Sequence, residues 1–308
     1  MKVLYWLESI RAPWLDAVML AISQLGGEIL FMAIVIALFW CMDKRKGYYL
    51  MTVGFFGIVA NQFLKLVFRV SRPWIRDPEF TIVEGARAGA TGYSFPSGHT
   101  QNAAAVLGCP ARMARKKGLK ITLWVLYALV GISRMYLGVH TPYDVGVGVV
   151  MGLVLVFGLY PFFSEKNYKP QRMYVLLGVM LALSIAFTTY TRLYPFPADI
   201  EVDNLSHGIK NGYTLTGAVA GMLAAFWLDE HYVHFQTAGS LPAHIVKCVV
   251  GLGLLLGIKT VLKPLMNALF GGDPIADAFR YAIVVFFAAG LWPMTFSWIN
   301  RLLPGKKA

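Results

Sequence analysis

Apolar residues along this chain run in blocks rather than in stripes. Segments such as ILFMAIVIALFWC, ITLWVLYALV and VGVGVVMGLVLVFGLYPFF are hydrophobic on every side of a helix. A run of that kind needs hydrocarbon, or a very large core, as its solvent. Repeated at roughly 20 residues, such blocks predict helices that cross a bilayer, where every backbone polar group must be satisfied within its own segment. Nine spans are expected, near 27–43, 48–70, 98–113, 121–139, 142–163, 174–192, 211–228, 243–268 and 278–300. The fold class is therefore all-α, a polytopic transmembrane helical bundle.

The first 26 residues follow a different pattern. LYWLESIRAPWLDAVMLAISQLGG alternates charge with apolar residues, and its apolar part is too short to span comfortably. It predicts an amphipathic helix lying on the outer surface, with the N-terminus outside. Were it to span, the count would be ten and every later loop would keep its side.

Composition agrees with this reading: 57% of the 308 residues are hydrophobic and only 14% are charged. Mean hydropathy is +0.58, well above that of an ordinary water-soluble domain. The net charge of +12 would suggest nucleic acid, but its distribution argues otherwise. Lys44, Arg45 and Lys46 share one loop, and Arg112, Arg115, Lys116, Lys117 and Lys120 the next loop but one. Lys166, Lys169 and Arg172 follow, then Arg301, Lys306 and Lys307. Basic clusters at alternate loops are the positive-inside pattern, so the excess is topological and implies no nucleic-acid partner. It puts loops 71–97, 133–142, 193–210 and 269–277 outside.

Cys41, Cys109 and Cys248 are odd in number and without paired spacing, which argues against a disulfide framework or a zinc site. No basic region followed by an apolar core and a cleavage site opens the chain, so no cleaved signal peptide is expected. Gly148 with Gly152, and Gly217 with Gly221, stand four apart and predict close helix packing. Lys259, Lys263 and Arg280 fall near Asp273 and Asp277, where structural pairing or snorkelling is expected. His231, His234 and His244 show no metal spacing.

Three stretches carry chemistry: KLVFRVSRP with Lys65, Arg72 and Pro73; FPSGH; and SRMYLGVHTPYD with Ser133, Arg134, His140 and Asp144. The topology brings all three to one membrane face. Lys65, Arg72 and Arg134 are costly cations at a lipid boundary, and the adjacent segments offer too few acids to pair them. Arginine's planar fork matches phosphate oxygens, and lysine adds a mobile point charge. Ser97 and Gly98 follow Pro96 where a helix begins: serine caps it, glycine admits an anion, and the free N–H groups attract one. His140 and Asp144, four apart, share a face, so the carboxylate can fix one ring nitrogen and leave the other as nucleophile. His99 is placed as general acid for the leaving alkoxide. The alternative, a set of buried ion pairs holding helices together, leaves three isolated cations unexplained.

K-x6-RP, PSGH and SR-x5-H-x3-D, in this order, resemble the type 2 phosphatidic acid phosphatase superfamily, which includes bacterial acid phosphatases and vanadium haloperoxidases. The similarity covers about residues 10–163, a catalytic core of 1–163, leaving 164–308 as four further helices. It implies hydrolysis of a phosphomonoester or diphosphate without metal or cofactor, through a phosphohistidine at His140. Lys65, Arg72, Ser97, Gly98 and Arg134 would hold the phosphate, His99 would act as acid and then base, and Asp144 would support His140. The C-terminal half is similar in topology to sphingosine-1-phosphate phosphatases and glucose-6-phosphatase.

The expected function is a multi-pass cell-membrane phosphatase acting on a lipid phosphate, with its site extracytoplasmic (lumenal in a eukaryote). Phosphatidic acid, phosphatidylglycerol phosphate, a sphingoid-base phosphate and a polyprenyl diphosphate stand as candidates. A soluble sugar phosphate, a lipid phosphotransferase and a transporter are the competing readings. A homo-oligomer is left open, as is whether the last four helices touch substrate.

Overall fold

The computed structural model describes residues 1–304; Lys306 and Lys307, counted above among the basic clusters, lie outside the described residues. Every regular element among the described residues is helical. The helices are α1 (Lys2–Ser9), α2 (Pro13–Gln24), α3 (Glu28–Cys41), α4 (Lys44–Phe68), the single turn α5 (Pro73–Arg76), α6 (Gly98–Ala103) and α7 (Cys109–Met113). A π-helical turn, Ala104–Gly108, joins the last two. Then come α8 (Lys117–Tyr136), α9 (Pro142–Phe163), α10 (Pro170–Leu193), α11 (Val202–Leu228), α12 (Leu241–Leu269), α13 (Ile275–Phe286) and α14 (Phe296–Leu302).

Length and apolarity alone qualify six helical stretches to cross a membrane, and a seventh if α2 and α3, bent by 43°, count as one broken span. The chain is thus a multi-span membrane protein, with two of the nine expected spans outside that set. Residues 98–113 form a helical run of only 16 residues. α11 is long, but its threonines, glycines and asparagines dilute its apolar character. The N-terminal segment is two helices: α1, short and amphipathic, and α2, which joins α3 only through the bend.

The chain divides into two compact units. One comprises residues 1–35, 49–163 and 199–205; the other comprises 36–48, 164–198 and 206–308. In the first, α6 packs between α8 and α9, and α2 lies along α8. Gly148 and Gly152 allow this: a Cβ on Gly148 would sit 3.0 Å from the Ser97 carbonyl oxygen, and one on Gly152 only 2.6 Å from Ala104 Cβ. Leu7, Ala86, Tyr136, Leu137 and Val139 form an apolar cluster joining α1, the 71–97 loop and the end of α8. Around it, Arg11 donates to the carbonyls of Tyr136 at 3.0 Å and Thr81 at 3.0 Å, and Tyr136 Oη donates to Asp16 at 2.7 Å. These bonds hold the loop that carries Arg72 and Ser97.

In the second unit α11 packs on α13, with the Gly217 and Gly221 backbones against Ala278 and Ala282. Thr188 and Thr216 hydroxyls meet at 3.1 Å between α10 and α11. Lys44 pairs with Asp229 at 2.6 Å, Arg280 with Asp277 at 2.5 Å and Arg192 with Asp273 at 3.0 Å. Structural pairing at Arg280 is as expected, whereas Asp273 is taken by Arg192. Lys259 lies 5.9 Å from the Tyr281 ring.

Candidate active site

Lys65 stands on the last turn of α4, and Arg72 precedes α5, whose first residue is Pro73. Arg72 is held entirely by neutral acceptors. Its Nε donates to the Gly92 carbonyl at 2.9 Å, Nη2 to Thr91 O at 2.6 Å and Nη1 to Val139 O at 2.9 Å. Lys65 Nζ donates to the same Thr91 carbonyl at 3.2 Å. Carbonyl dipoles orient the cations but leave their charge uncompensated. Arg134, on the last turn of α8, donates from Nη1 to Ser23 Oγ at 2.6 Å, while its Nε and Nη2 are buried without a partner. Among the described residues no carboxylate lies within ion-pair distance of Lys65, Arg72 or Arg134, although all three are buried. Burial of three like charges without partners is costly, and the arrangement suits an anion.

His140 lies between α8 and α9. Its Nε2 is 3.0 Å from Arg72 Nη1. A guanidinium can only donate, so Nε2 is the lone-pair nitrogen and the proton resides on Nδ1. Burial, then the cations of Arg72, Arg134 and Lys65 together with His99, hold this imidazole below its ordinary pKa and favour the neutral ring. Nδ1 faces Asp144 Oδ2 at 3.5 Å, beyond hydrogen-bond length, and has no other partner. The expected bond to Asp144 is therefore an approach rather than a contact, because that oxygen is already engaged. It accepts from Ser94 Oγ at 2.6 Å and from Thr141 N at 2.7 Å. Thr141 Oγ1 in turn accepts from Asp144 N at 3.3 Å, a capping box that opens α9 with Pro142 as its first residue.

Ser97 caps α6 as expected, accepting from Thr100 N at 3.4 Å and from Thr100 Oγ1 at 2.9 Å. Its own N–H donates to the Asp144 carbonyl at 3.0 Å, which ties the PSGH turn to the start of α9. Asn61 on α4 steadies the same turn through Pro96 O at 3.1 Å.

Lys65, Arg72, Gly98, His99 and His140 line one cavity of about 130 Å³. Ser97, Arg134 and Asp144 do not line it; they brace residues that do. Ser94, Ser23 and Asn61 were not singled out in the sequence. Ser94 stands in the same SFPSGH stretch, but its partner is fifty residues further on. Among the described residues no three His, Cys, Asp or Glu side chains converge into a metal-binding group.

Comparison with known proteins matches two separate stretches of the chain. The PAP2 superfamily model matches residues 45–168, and the model described as PAP2 superfamily phosphatase, transmembrane extension, matches 213–303. Phosphatidylglycerophosphatase B of Bacillus subtilis is 34% identical over 172 residues, covering 51% of this chain and 79% of that protein. A dihydrosphingosine 1-phosphate phosphatase of Schizosaccharomyces pombe is 27% identical over 217 residues, covering 64% of this chain and half (50%) of the relative. The crystal structure of a transmembrane PAP2 type phosphatidylglycerolphosphate phosphatase from Bacillus subtilis superposes with a TM-score of 0.45 at 31% identity, covering 55% of this chain and 85% of that one. By sequence, then, this multi-span chain belongs to the PAP2 superfamily and is a phosphatase carrying that family's transmembrane extension.

Proposed function

We propose that the protein is a metal-independent membrane phosphatase that hydrolyses a lipid phosphate or diphosphate through a phosphohistidine at His140, on the extracytoplasmic side. The observation that carries this reading is the lone pair of His140 Nε2, aimed at an arginine whose charge no acid neutralises. A phosphate entering the cavity takes the place of Nε2 as acceptor for Arg72 and puts its phosphorus in front of that nitrogen. Nε2 attacks, the bond from phosphorus to the ester oxygen breaks, and the departing alkoxide takes a proton from His99. His99 then accepts a proton from water as its oxygen attacks phosphorus. The P–N bond breaks, and inorganic phosphate leaves. Lys65, Arg72 and the backbone N–H groups at Gly98 stabilise the charge on the five-coordinate phosphorus, the kind of preorganised electrostatics that usually dominates such catalysis. Asp144, facing Nδ1–H, favours the positive charge that the ring acquires while phosphorylated.

Phe31 and Ile58 also line the cavity, on helices with lipid-like surfaces, which suits an amphiphile whose chain stays in hydrocarbon. The names of the two relatives, one acting on phosphatidylglycerophosphate and one on dihydrosphingosine 1-phosphate, favour a lipid over a sugar phosphate. For sidedness, α4 begins in the basic cluster Lys44–Arg45–Lys46 and ends at the site, so basic loops inside put the site outside. The test is phosphate release by the purified protein in detergent, beside His140→Ala, over a panel from glucose 6-phosphate to polyprenyl diphosphate. Turnover of a lipid member, reduced by about three or more orders of magnitude in the variant, is expected. Normal turnover by His140→Ala would overturn the mechanism.

A further inference from the structure

The same cavity is also lined by polar side chains to which the hydrolysis assigns no task. They include Glu28 at the start of α3, Asn61 and Gln62 on α4, and Asn102 on α6. Resting on the phosphatase reading above, we propose that Glu28 and Asn102 form a head-group subsite for an ammonium, and that the preferred substrates are lipid phosphates bearing an amine close to the phosphate ester.

Asn102 is the firmest point. Its Nδ2 donates to Gly26 O at 2.9 Å and to Gly27 O at 3.3 Å, which fixes the amide orientation and leaves Oδ1 as the free acceptor. Asn102 is only 6% exposed, yet Oδ1 has no partner. A buried acceptor with unmet hydrogen-bonding capacity beside a cavity is costly unless a ligand completes it. Those two bonds from Asn102 also pin the Gly26–Gly27 turn against α6. A Cβ on Gly26 would collide with the His99 carbonyl, so only glycine lets the turn come this close. Glu28 follows directly and is among the residues that line the cavity containing His99.

Charge supplies the second argument. One cavity holds Lys65 and Arg72 and also Glu28, and among the described residues Glu28 forms no ion pair with them. Opposite charges kept apart in one cavity match a ligand carrying both signs: phosphate on the cations, ammonium on Glu28 and Asn102 Oδ1. An amine-free phosphate leaves these acceptors unmet, and a diphosphate adds repulsion from Glu28. Glu28 is exposed and opens α3, so the plainer account is a carboxylate that complements the helix dipole. That account predicts no effect on ligand preference.

The experiment uses the His140→Ala protein, which binds without turning over, and two soluble probes: an eight-carbon 2-amino-alcohol phosphate and octyl phosphate. Calorimetry should show the amine-bearing probe binding about tenfold more tightly, a difference that Glu28→Gln reduces to near unity and Glu28→Lys reverses. A preference absent from the parent, or surviving Glu28→Gln, would overturn the subsite. Turnover of both probes by the wild-type protein reads the phosphatase proposal separately, so failure of one does not pass for failure of the other.

Discussion

The two units treat buried charge in opposite ways. In the second, the buried Asp229 is matched by Lys44 and the buried Arg280 by Asp277. Its exception is Lys247, fully buried, whose ammonium is met by the Phe296 ring at 4.7 Å and the Ala238 carbonyl at 3.4 Å. In the first unit, Lys65, Arg72 and Arg134 have no acid; neutral groups orient them, namely carbonyls, the Ser23 hydroxyl and, for Arg72, the His140 ring nitrogen and the Trp74 ring at 5.9 Å. Paired charges hold helices together, while unpaired ones preserve an electrostatic field for a ligand that arrives later. The contrast between the units thus separates a scaffold from a site.

Lys65→Met should break the contrast most sharply. Methionine matches the buried stem and removes a charge that nothing in the fold compensates. We expect kcat/KM to fall about 100-fold, the typical loss of one donor to a developing oxyanion. The thermal midpoint should hold or rise, since a buried, unpaired cation burdens the fold. A large fall in midpoint alongside the loss of activity would place Lys65 with the scaffold.

The complementary variant is Asp229→Ala. Its carboxylate, only 1% exposed, accepts from Lys44 and, at 2.9 Å, from Phe235 N. Its removal strands both donors and should cost about 2–3 kcal/mol of stability. Turnover per folded molecule should stay near wild type, as read by thermal unfolding and by phosphate release normalised to folded protein. Loss of turnover in protein that remains folded would make this pair part of the catalytic apparatus.

What the sequence could reveal follows the same line. Lys65, Arg72, His99 and His140 were legible because each is a costly residue type at a fixed spacing from another, Gly98 because it stands where a helix begins, and all five line one cavity. The carbonyls of Thr91, Gly92 and Val139 were not, since a backbone acceptor leaves no mark in residue identity. Glu28 and Asn102 stayed hidden because their link to His99 runs through a turn about seventy residues away in sequence. At the level of spans, long uniformly apolar helices such as α9 and α12 were plain. Residues 98–113 read as a span although their polar first turn and 16-residue length serve the site more than the bilayer.

The smallest effect tests a residue that touches no phosphate in the proposed chemistry. Ser94, fully buried, donates to Asp144 Oδ2 and thereby keeps that oxygen from bonding His140 Nδ1–H, 3.5 Å away. It acts as a positioning residue. Ser94→Ala releases the oxygen to accept from the imidazole, which strengthens the hold on the protonated ring and raises the pKa of His140. Protonated His140 cannot attack, so activity falls as pH drops through that pKa. In the wild-type protein, burial and the neighbouring cations keep it below the ordinary histidine value, so the acid limb of kcat/KM should lie below roughly pH 6.5. In Ser94→Ala the limb should move upward, with activity at the optimum down about three- to tenfold, the scale of one hydrogen bond. Ser94→Thr, which keeps the hydroxyl, should restore the wild-type limb. A loss of activity with the limb unmoved would mean that Ser94 only fills space, and that Asp144 does not govern His140 through this oxygen.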